Sequence, residues 1–285
     1  MNDSVNWNNR FRELRTCVLI PTYNNSTTVG TVIKDVLTYT ENIIVVNDGS
    51  TDNTQKVLSS FPFLKTISYP VNKGKGWAMR KGFSLAIDLG YDYAITIDSD
   101  GQHFAKDLPA FLEKLSSSDG NILIIGARNM NQDSVPGKSS FGHKFSNFWY
   151  RVETGIDAPD TQSGFRLYPV SKFKGMHFFT RKYEFEIEVL VRSAWKGMQI
   201  DSVPINVYYP PPRERITHFR PFKDFTRISI LNTVLVAVTF LYIKPRNFFR
   251  ILFQKKNTRR FLNKQGTDSS DKPPAFLKSK TNAAS

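Results

Sequence analysis

Cysteine is almost missing from this sequence, since Cys17 is the only one among 285 residues. A single cysteine excludes an internal disulfide framework and a thiolate metal site. Histidine is scarce as well, and the spacing of the 4 histidines matches no zinc-binding pattern. Disulfide-stapled folds and zinc modules are therefore excluded. Cys17 lies inside an apolar run, where a small buried thiol is expected.

A secretory signal and two nucleotide-binding motifs are also absent. Residues 1–15 are mostly polar and lack the apolar core of a secretory signal, so we expect an N-terminal extension and a cytoplasmic active site. No Gly-x-x-x-x-Gly-Lys-Ser/Thr occurs in the chain, and no Gly-x-Gly-x-x-Gly follows the first predicted strand. The phosphate loop of the NTPases and the dinucleotide fingerprint are both excluded.

The net charge of +14 is unevenly spread. Residues 244–285 contain 11 Lys and Arg but only 2 acidic residues. A basic tail of this kind can bind nucleic acid, anionic lipid or only water, so its neighbours must decide between them. The last part, residues 265–285, is polar and contains Ser and Pro, and we expect it to be disordered.

An apolar run precedes this tail. Residues 228–243 have few polar interruptions, but their length falls just short of the ~17–25 residues that span a bilayer. Phe, Ile and Leu then alternate with Lys and Arg over 244–256, which is typical of a helix lying in an anionic bilayer surface. We expect a membrane-associating helical segment at 223–264, with an anionic membrane surface as partner. The alternative is a core helix followed by a solvated tail.

Apolar runs of strand length alternate with helical patterns in the first half of the chain. The predicted strands are Thr16–Ile20, Asn42–Val46, Leu64–Tyr69, Tyr93–Ile97 and Asn121–Ile125. A helix at about 183–196 and a strand near 200–207 follow later. Alternating strands and helices predict an α/β domain over 16–222, with a mostly parallel central sheet flanked by helices.

The run Asp98-Ser99-Asp100-Gly101-Gln102 directly follows one predicted strand. Asp-x-Asp-Gly is good turn chemistry, because Asp bonds the local backbone and Gly tolerates a positive φ. Paired carboxylates at the carboxyl end of a strand also suit Mg²⁺ or Mn²⁺ bound with substrate phosphates. An EF-hand calcium loop is excluded, since it would need Gly at His103 and Glu at Pro109.

Three polar clusters favour the metal interpretation over the turn alone. They follow predicted strands at 20–24, 46–52 and 98–102, and a parallel sheet brings such strand ends to one edge. Gly74-Lys75-Gly76 is similar to a phosphate loop that opens a helix, where Lys75 could assist a ribose or diphosphate. An ordinary flexible loop explains this last motif equally well.

Five stretches of the chain resemble the family 2 glycosyltransferases with the GT-A fold, in family order across 16–222. They are Pro21–Asn24, Val45–Asp52, Asn72–Gly76, Asp98–His103 and Asp160–Tyr168. The likeness is greatest to the polyprenyl-phosphate glycosyltransferases of the dolichyl-phosphate mannose synthase type. It implies inverting transfer of a sugar from a nucleotide-diphosphate donor to a dolichyl- or undecaprenyl-type phosphate, at the cytoplasmic face of a membrane.

The resemblance also implies roles on the donor side. Pro21, Tyr23, Asn24, Asp48, Lys75 and Asp98 would bind the nucleotide, and Asp98, Asp100 and Gln102 would hold Mg²⁺ or Mn²⁺. The ion would offset the charge that develops on the leaving nucleotide. Asn47 departs from the family, in which many members have an Asp at that position.

On the acceptor side, the resemblance implies a lipid phosphate bound by basic residues, since an ionised phosphate needs no catalytic base. These residues are Arg128, His143, Lys144 and Arg166, and the catalytic set is Asp100, Arg128 and Arg166. Lys144 stands where Arg is commoner. Surface solvation is the alternative for Arg128 and Lys144, and a structural salt bridge is the alternative for Arg166.

Other interpretations stay open. Transfer to a hydroxyl of another lipid or glycan would need a carboxylate base, such as Glu186 or Glu188. Glu188 could instead orient the acceptor arginines or form helix-face ion pairs. Residues 213–220 could form a lid over the donor diphosphate or an ordinary basic connector. The chain has no nucleic-acid-binding motif, so no nucleic acid partner is expected.

Overall fold

A computed structural model describes residues 6–129, 137–209, 211 and 220–250, without the side chains of 137–141 and 221. The predicted disordered tail and most of the predicted lid at 213–220 lie outside these residues. The described chain contains the following helices and strands. In chain order they are α1 Trp7–Glu13, β1 Thr16–Thr22, α2 Val29–Leu37, β2 Ile43–Asp48, α3 Thr54–Leu58, β3 Lys65–Tyr69, α4 Lys75–Asp88, β4 Tyr93–Thr96, α5 Leu108–Ser116, β5 Ile122–Arg128, α6 Gly137–Thr154, β6 Arg166–Tyr168, α7 Phe185–Trp195, β7 Gln199–Ile205 and α8 Pro221–Val238.

The strands form one sheet in the order β3-β2-β1-β4-β6-β5-β7. Every neighbouring pair is parallel except those made by β6, which runs antiparallel to β4 and β5. The prediction of a mostly parallel α/β sheet is confirmed. Because β1, β2, β4, β5 and β7 point the same way, their carboxyl ends share one edge, where β6 begins.

The central strands β1 and β2 are buried on both faces, whereas the edge strand β3 is largely exposed. Alternate residues of a strand point to opposite faces of the sheet. From β1, Val18 and Ile20 pack with α1, α2 and α5, whereas Cys17 and Leu19 pack with α4, α6 and α7. Cys17 is the buried thiol that the sequence predicts. Phe11 of α1 is fully buried, so part of the predicted N-terminal extension belongs to the core.

One buried acid gives the core a pH-dependent stability. The side chain of Glu153 in α6 is 1% exposed, and burial raises its pKa to about 8. The folded state therefore keeps a proton that the unfolded chain releases above its ordinary pKa, so stability falls as the pH rises through 8. We expect Glu153→Gln to stabilise the protein by about 2–4 kcal/mol at alkaline pH, with little effect near pH ~5. Thermal unfolding at both pH values checks this, and an equal shift at both would contradict it.

The C-terminal part of the chain contains a helix that is long and apolar enough to cross a membrane, by length and composition. It covers Phe222–Arg250, 29 residues, and so exceeds the apolar run at 228–243. The described chain divides into two compact units between Val236 and Ala237. Within the first unit, the buried face of α8 carries Asp224 and Asn232, whereas Phe222, Ile230 and Val234 are 86%, 61% and 53% exposed. Leu235 of the same helix is buried, and Lys223 and Arg227 are exposed, so the surface of α8 carries both apolar and charged side chains.

Candidate active site

A cavity of about 450 Å³ lies at the carboxyl ends of β1, β2 and β4. It brings together most of the residues predicted for the donor. Those in its lining are Pro21, Tyr23, Asp48, Lys75, Asp98, Asp100 and Gln102. Lys182, Tyr183, Arg220 and Asp224 also line it, and sequence analysis assigned no donor role to Lys182, Tyr183 or Asp224.

Asp48 is fixed by the backbone of the loop before α4. Its carboxylate accepts hydrogen bonds from the N–H of Lys73 at 3.0 Å and of Gly74 at 2.6 Å. Burial raises its pKa despite these bonds. Gly49 has a φ of 72°, and a Cβ there would lie 2.3 Å from the backbone nitrogen of Asn72. The close approach of the two loops therefore requires glycine at this position.

Asn24 and Asn47 lie outside the cavity lining. The side-chain oxygen Oδ1 of Asn24 accepts the N–H of Thr51 at 2.8 Å, and the φ of 50° at Asn24 lies in the left-handed region. Asn47 donates to Gln55 Oε1 at 2.8 Å and accepts the N–H of Ser50 at 3.1 Å. Both side chains brace the loop after β2. The departure at Asn47 therefore leaves the cavity lining unchanged, and Asn24, predicted to contact the nucleotide, braces the loop beside the cavity.

The paired carboxylates follow β4 as predicted. Asp100 accepts the N–H of Gln102 at 3.0 Å, and Gly101 between them has a φ of 77°. The turn and the site thus coexist, because this turn presents the side chains of Asp98, Asp100 and Gln102 to the cavity. Burial and the charge of Asp98 raise the pKa of Asp100 to about 6.

These residues fit a divalent cation. No three Cys, His, Asp or Glu side chains come together as a metal site among the described residues. Two carboxylates and the Gln102 amide nevertheless supply oxygen ligands, and Mg²⁺ typically takes one or two carboxylates plus substrate phosphates. The raised pKa of Asp100 marks a crowded pair of negative charges, which a cation would relieve.

Lys75 opens α4 and lies behind these carboxylates. Its Nζ is 2.7 Å from Asp98 Oδ1 and 3.2 Å from Glu186 Oε1. Burial acts to lower the pKa of Lys75, but Asp98 and Glu186 outweigh it and raise that pKa above its ordinary value. Burial likewise opposes ionisation of Asp98, yet Lys75 and other nearby cations hold its pKa below the usual range. Lys75, which sequence analysis predicts to assist a ribose or diphosphate, is thus held by two acidic side chains.

A second cluster lies at the end of β5. Arg128 Nε and Nη2 are 2.6 and 2.9 Å from the fully buried carboxylate of Asp160. His143 Nε2 lies 2.6 Å from the Pro159 carbonyl oxygen and 3.9 Å from Asp160, and Lys144 is exposed on α6. Sequence analysis gave Asp160 no role. The only available signal was its position in the Asp160–Tyr168 motif.

Arg166, which the resemblance assigns to the acceptor phosphate, is bound by the protein itself. Its side chain is fully buried and donates to the carbonyl oxygens of Ser163, Thr161 and Glu186 at 2.6, 2.8 and 2.7 Å. β6 begins at Arg166, and the side chain turns back into the fold. The three carbonyl oxygens therefore occupy the guanidinium. Arg166 ties the loop before β6 to α7.

Glu188 does not contact the acceptor arginines. Its carboxylate accepts the N–H groups of Phe179 and Thr180 at 3.1 and 2.9 Å, and it pairs with Arg192 at 3.0 Å. The helix-face ion pair of the sequence analysis is present. The remaining bonds of Glu188 cap the turn before α7.

His103 lies between the two clusters. Its ring packs on Phe165 with centroids 5.2 Å apart, and burial lowers its pKa to about 4. Asp98 and Arg128 both influence this pKa, so the histidine is near the donor and the acceptor residues. Next to it, the Gln102 carbonyl accepts the N–H of Tyr208 at 2.9 Å. His103 and this strand-like contact join the ends of β4 and β7.

Comparison with known proteins agrees with this fold. The structure is similar to that of glucosyl-3-phosphoglycerate synthase from Mycobacterium tuberculosis, solved with Mn²⁺, UDP-glucose and phosphoglyceric acid. The TM-score is 0.61 at 20% identity, covering 83% of this chain and 84% of that one. The same protein was also solved with Mg²⁺ and UDP. The likeness shows the GT-A fold.

The family follows from the sequence comparison. The model of glycosyl transferase family 2 matches residues 17–176, and the chain belongs to this family. It is 28% identical over 214 residues to the UDP-N-acetylglucosamine–dolichyl-phosphate N-acetylglucosaminyltransferase of Methanococcus voltae, covering 67% of this chain and 85% of the relative. It is 26% identical over 210 residues to the undecaprenyl-phosphate mannosyltransferase of Micrococcus luteus, covering 67% and 83%.

Proposed function

We propose that this enzyme transfers a sugar, with inversion, from a nucleotide-diphosphate donor to a polyprenyl phosphate. Asp48, Tyr23 and Pro21 bind the nucleoside. Asp98, Asp100 and Gln102 hold Mg²⁺ or Mn²⁺, which offsets the charge developing on the leaving diphosphate. Lys182 and Arg220 line the same cavity and add positive charge beside the diphosphate.

The choice between a phosphate acceptor and a hydroxyl acceptor depends on whether a nearby carboxylate is free to act as a base. A hydroxyl acceptor needs a base, whereas a phosphate monoester is already ionised. Among the described residues that sequence analysis considered as bases, Glu186 is paired with Lys75, and Glu188 caps a turn. Asp160, beside the acceptor residues, is paired with Arg128. These engaged carboxylates favour the phosphate acceptor over the hydroxyl alternative.

Arg128, His143 and Lys144 are the proposed contacts of the acceptor phosphate. Arg128 is oriented by Asp160 and keeps a partly exposed side chain, 15% accessible. Lys144 is exposed on α6 and binds phosphate as a point charge. The dolichyl and undecaprenyl phosphates in the names of the relatives support an acceptor of this class.

The surface of α8 supports a position at the membrane. Its exposed apolar side chains suit lipid, and its first turn reaches the donor cavity through Asp224. The basic run that follows suits an anionic surface. We place the enzyme at the cytoplasmic membrane face, either peripheral or with a single span.

Sugar transfer from a panel of UDP- and GDP-sugars tests this function. Radiolabel is expected in an organic-extractable product with polyprenyl phosphate as acceptor, and not with the free polyprenol of the same chain length. EDTA in excess is expected to abolish the transfer. Equal labelling of the polyprenol would favour the hydroxyl alternative, and turnover that persists in EDTA would contradict the metal role.

A further inference from the structure

Glu186 sits behind the donor site rather than in it. Lys75 and Asp98 line the cavity, whereas Glu186 does not, and the three side chains are 17%, 24% and 11% exposed. Lys75 Nζ bridges the two acids, at 2.7 Å from Asp98 and 3.2 Å from Glu186. Lys75 thus links Glu186, behind the cavity, to Asp98 in the cavity lining.

The surrounding backbone leaves this cluster little freedom. A Cβ on Gly164 would lie 2.9 Å from Asp98 Oδ2, 2.9 Å from Lys75 Nζ and 3.1 Å from Glu186 Oε1. Glycine at this position therefore lets the chain close tightly over all three groups. The main chain of Glu186 is held in turn by Arg166, whose Nη1 donates to its carbonyl oxygen at 2.7 Å.

Charge explains why two acids share one lysine. If Lys75 paired with Asp98 alone, the positive charge of the lysine would cancel the negative charge of a carboxylate that the cation needs. Because Lys75 also pairs with Glu186, its interaction with Asp98 is weaker. Two carboxylates and one ammonium group together keep a net negative charge. Resting on the proposed function, we propose that Glu186 is a positioning residue that, through Lys75, holds Asp98 and sets the affinity of the site for a divalent cation.

Mn²⁺ binding to the full-length, nucleotide-free protein tests this inference, with free Mn²⁺ followed by electron paramagnetic resonance. Glu186→Gln keeps the size of the side chain but removes its charge, and we expect it to raise the Kd for Mn²⁺ by about 10- to 100-fold. Glu188→Gln is the matched control, two residues along α7. It removes a turn cap, so it is expected to lower the unfolding temperature and leave the Mn²⁺ Kd unchanged.

A double-mutant cycle tests the route through the lysine. In a Lys75→Met background, Glu186→Gln is expected to change the Mn²⁺ Kd by less than about threefold, because its partner is gone. An equal effect in both backgrounds would mean that Glu186 acts without Lys75, and would overturn the proposal. So would a normal Mn²⁺ Kd in Glu186→Gln with a reduced kcat, the result expected of a catalytic base. Absence of Mn²⁺ binding by the unmodified protein would instead refute the metal site of the proposed function.

Discussion

Asp100→Asn is expected to reduce kcat/KM for sugar transfer by about 100- to 1,000-fold. The substitution keeps the shape of the side chain, and the amide oxygen can still accept the N–H of Gln102. What it removes is one negative charge at the edge of the donor cavity, where a cation and the leaving diphosphate are proposed to meet. The loss should appear with every donor sugar, because the diphosphate is common to them all.

Asp52→Asn is the matched control for this prediction. Asp52 lies after β2 and accepts the N–H groups of Ser26 and Thr54 at 3.1 and 2.9 Å, but it does not line the cavity. Its substitution is expected to lower stability slightly and to leave kcat/KM within about fivefold, since a charged hydrogen bond is replaced by a neutral one. Initial rates over a series of Mn²⁺ concentrations measure both variants. Similar losses in the two would contradict a specific role for Asp100.

Arg166→Met is expected to destabilise the fold by about 3–5 kcal/mol, the usual cost of breaking a buried charged network. Removal of the guanidinium leaves the carbonyl oxygens of Thr161, Ser163 and Glu186 without their donor. Arg166→Lys should rescue little, because a lysine cannot reach three divergent acceptors with one ammonium group. The midpoint of chemical unfolding, followed by circular dichroism, measures the loss.

An exposed arginine provides the comparison. Arg12 pairs with Glu41 at 3.2 Å and is 58% exposed, so Arg12→Met should cost no more than about 1 kcal/mol. If Arg166→Met unfolds like the unmodified protein and only loses affinity for the acceptor, the buried role is wrong. The original expectation of a phosphate contact would then be restored.

The sheet could be predicted because its strands are apolar runs closed by polar residues. Sequence analysis did not predict β6 as a strand, since its three residues, Arg166–Tyr168, are too few to show a periodic pattern. Helix α6, Gly137–Thr154, was also not predicted, although Phe141, Phe145 and Phe148 recur in it at helical spacing. Phe11 was assigned to a polar extension, although Trp7, Phe11 and Leu14 recur at helical spacing and pack together.

The donor carboxylates could be predicted for a different reason: their position at strand ends is local information. The burial of Arg166, the role of Asp160 and the pairing of Glu186 with Lys75 escaped prediction for one reason. Whether an arginine meets solvent or three carbonyl oxygens depends on how distant segments pack, and Lys75 and Glu186 come from different helices. No local pattern carries such a pairing.

The linkage in the product tests the central claim most directly. Product labelled in the sugar should be purified from a reaction with polyprenyl phosphate and analysed by ³¹P NMR and mild acid hydrolysis. The account predicts a phosphodiester between sugar and lipid that mild acid cleaves. In the intact product, NMR coupling constants should show the anomeric configuration opposite to that of the donor. An acid-stable glycoside, with the phosphate still a monoester, would contradict it.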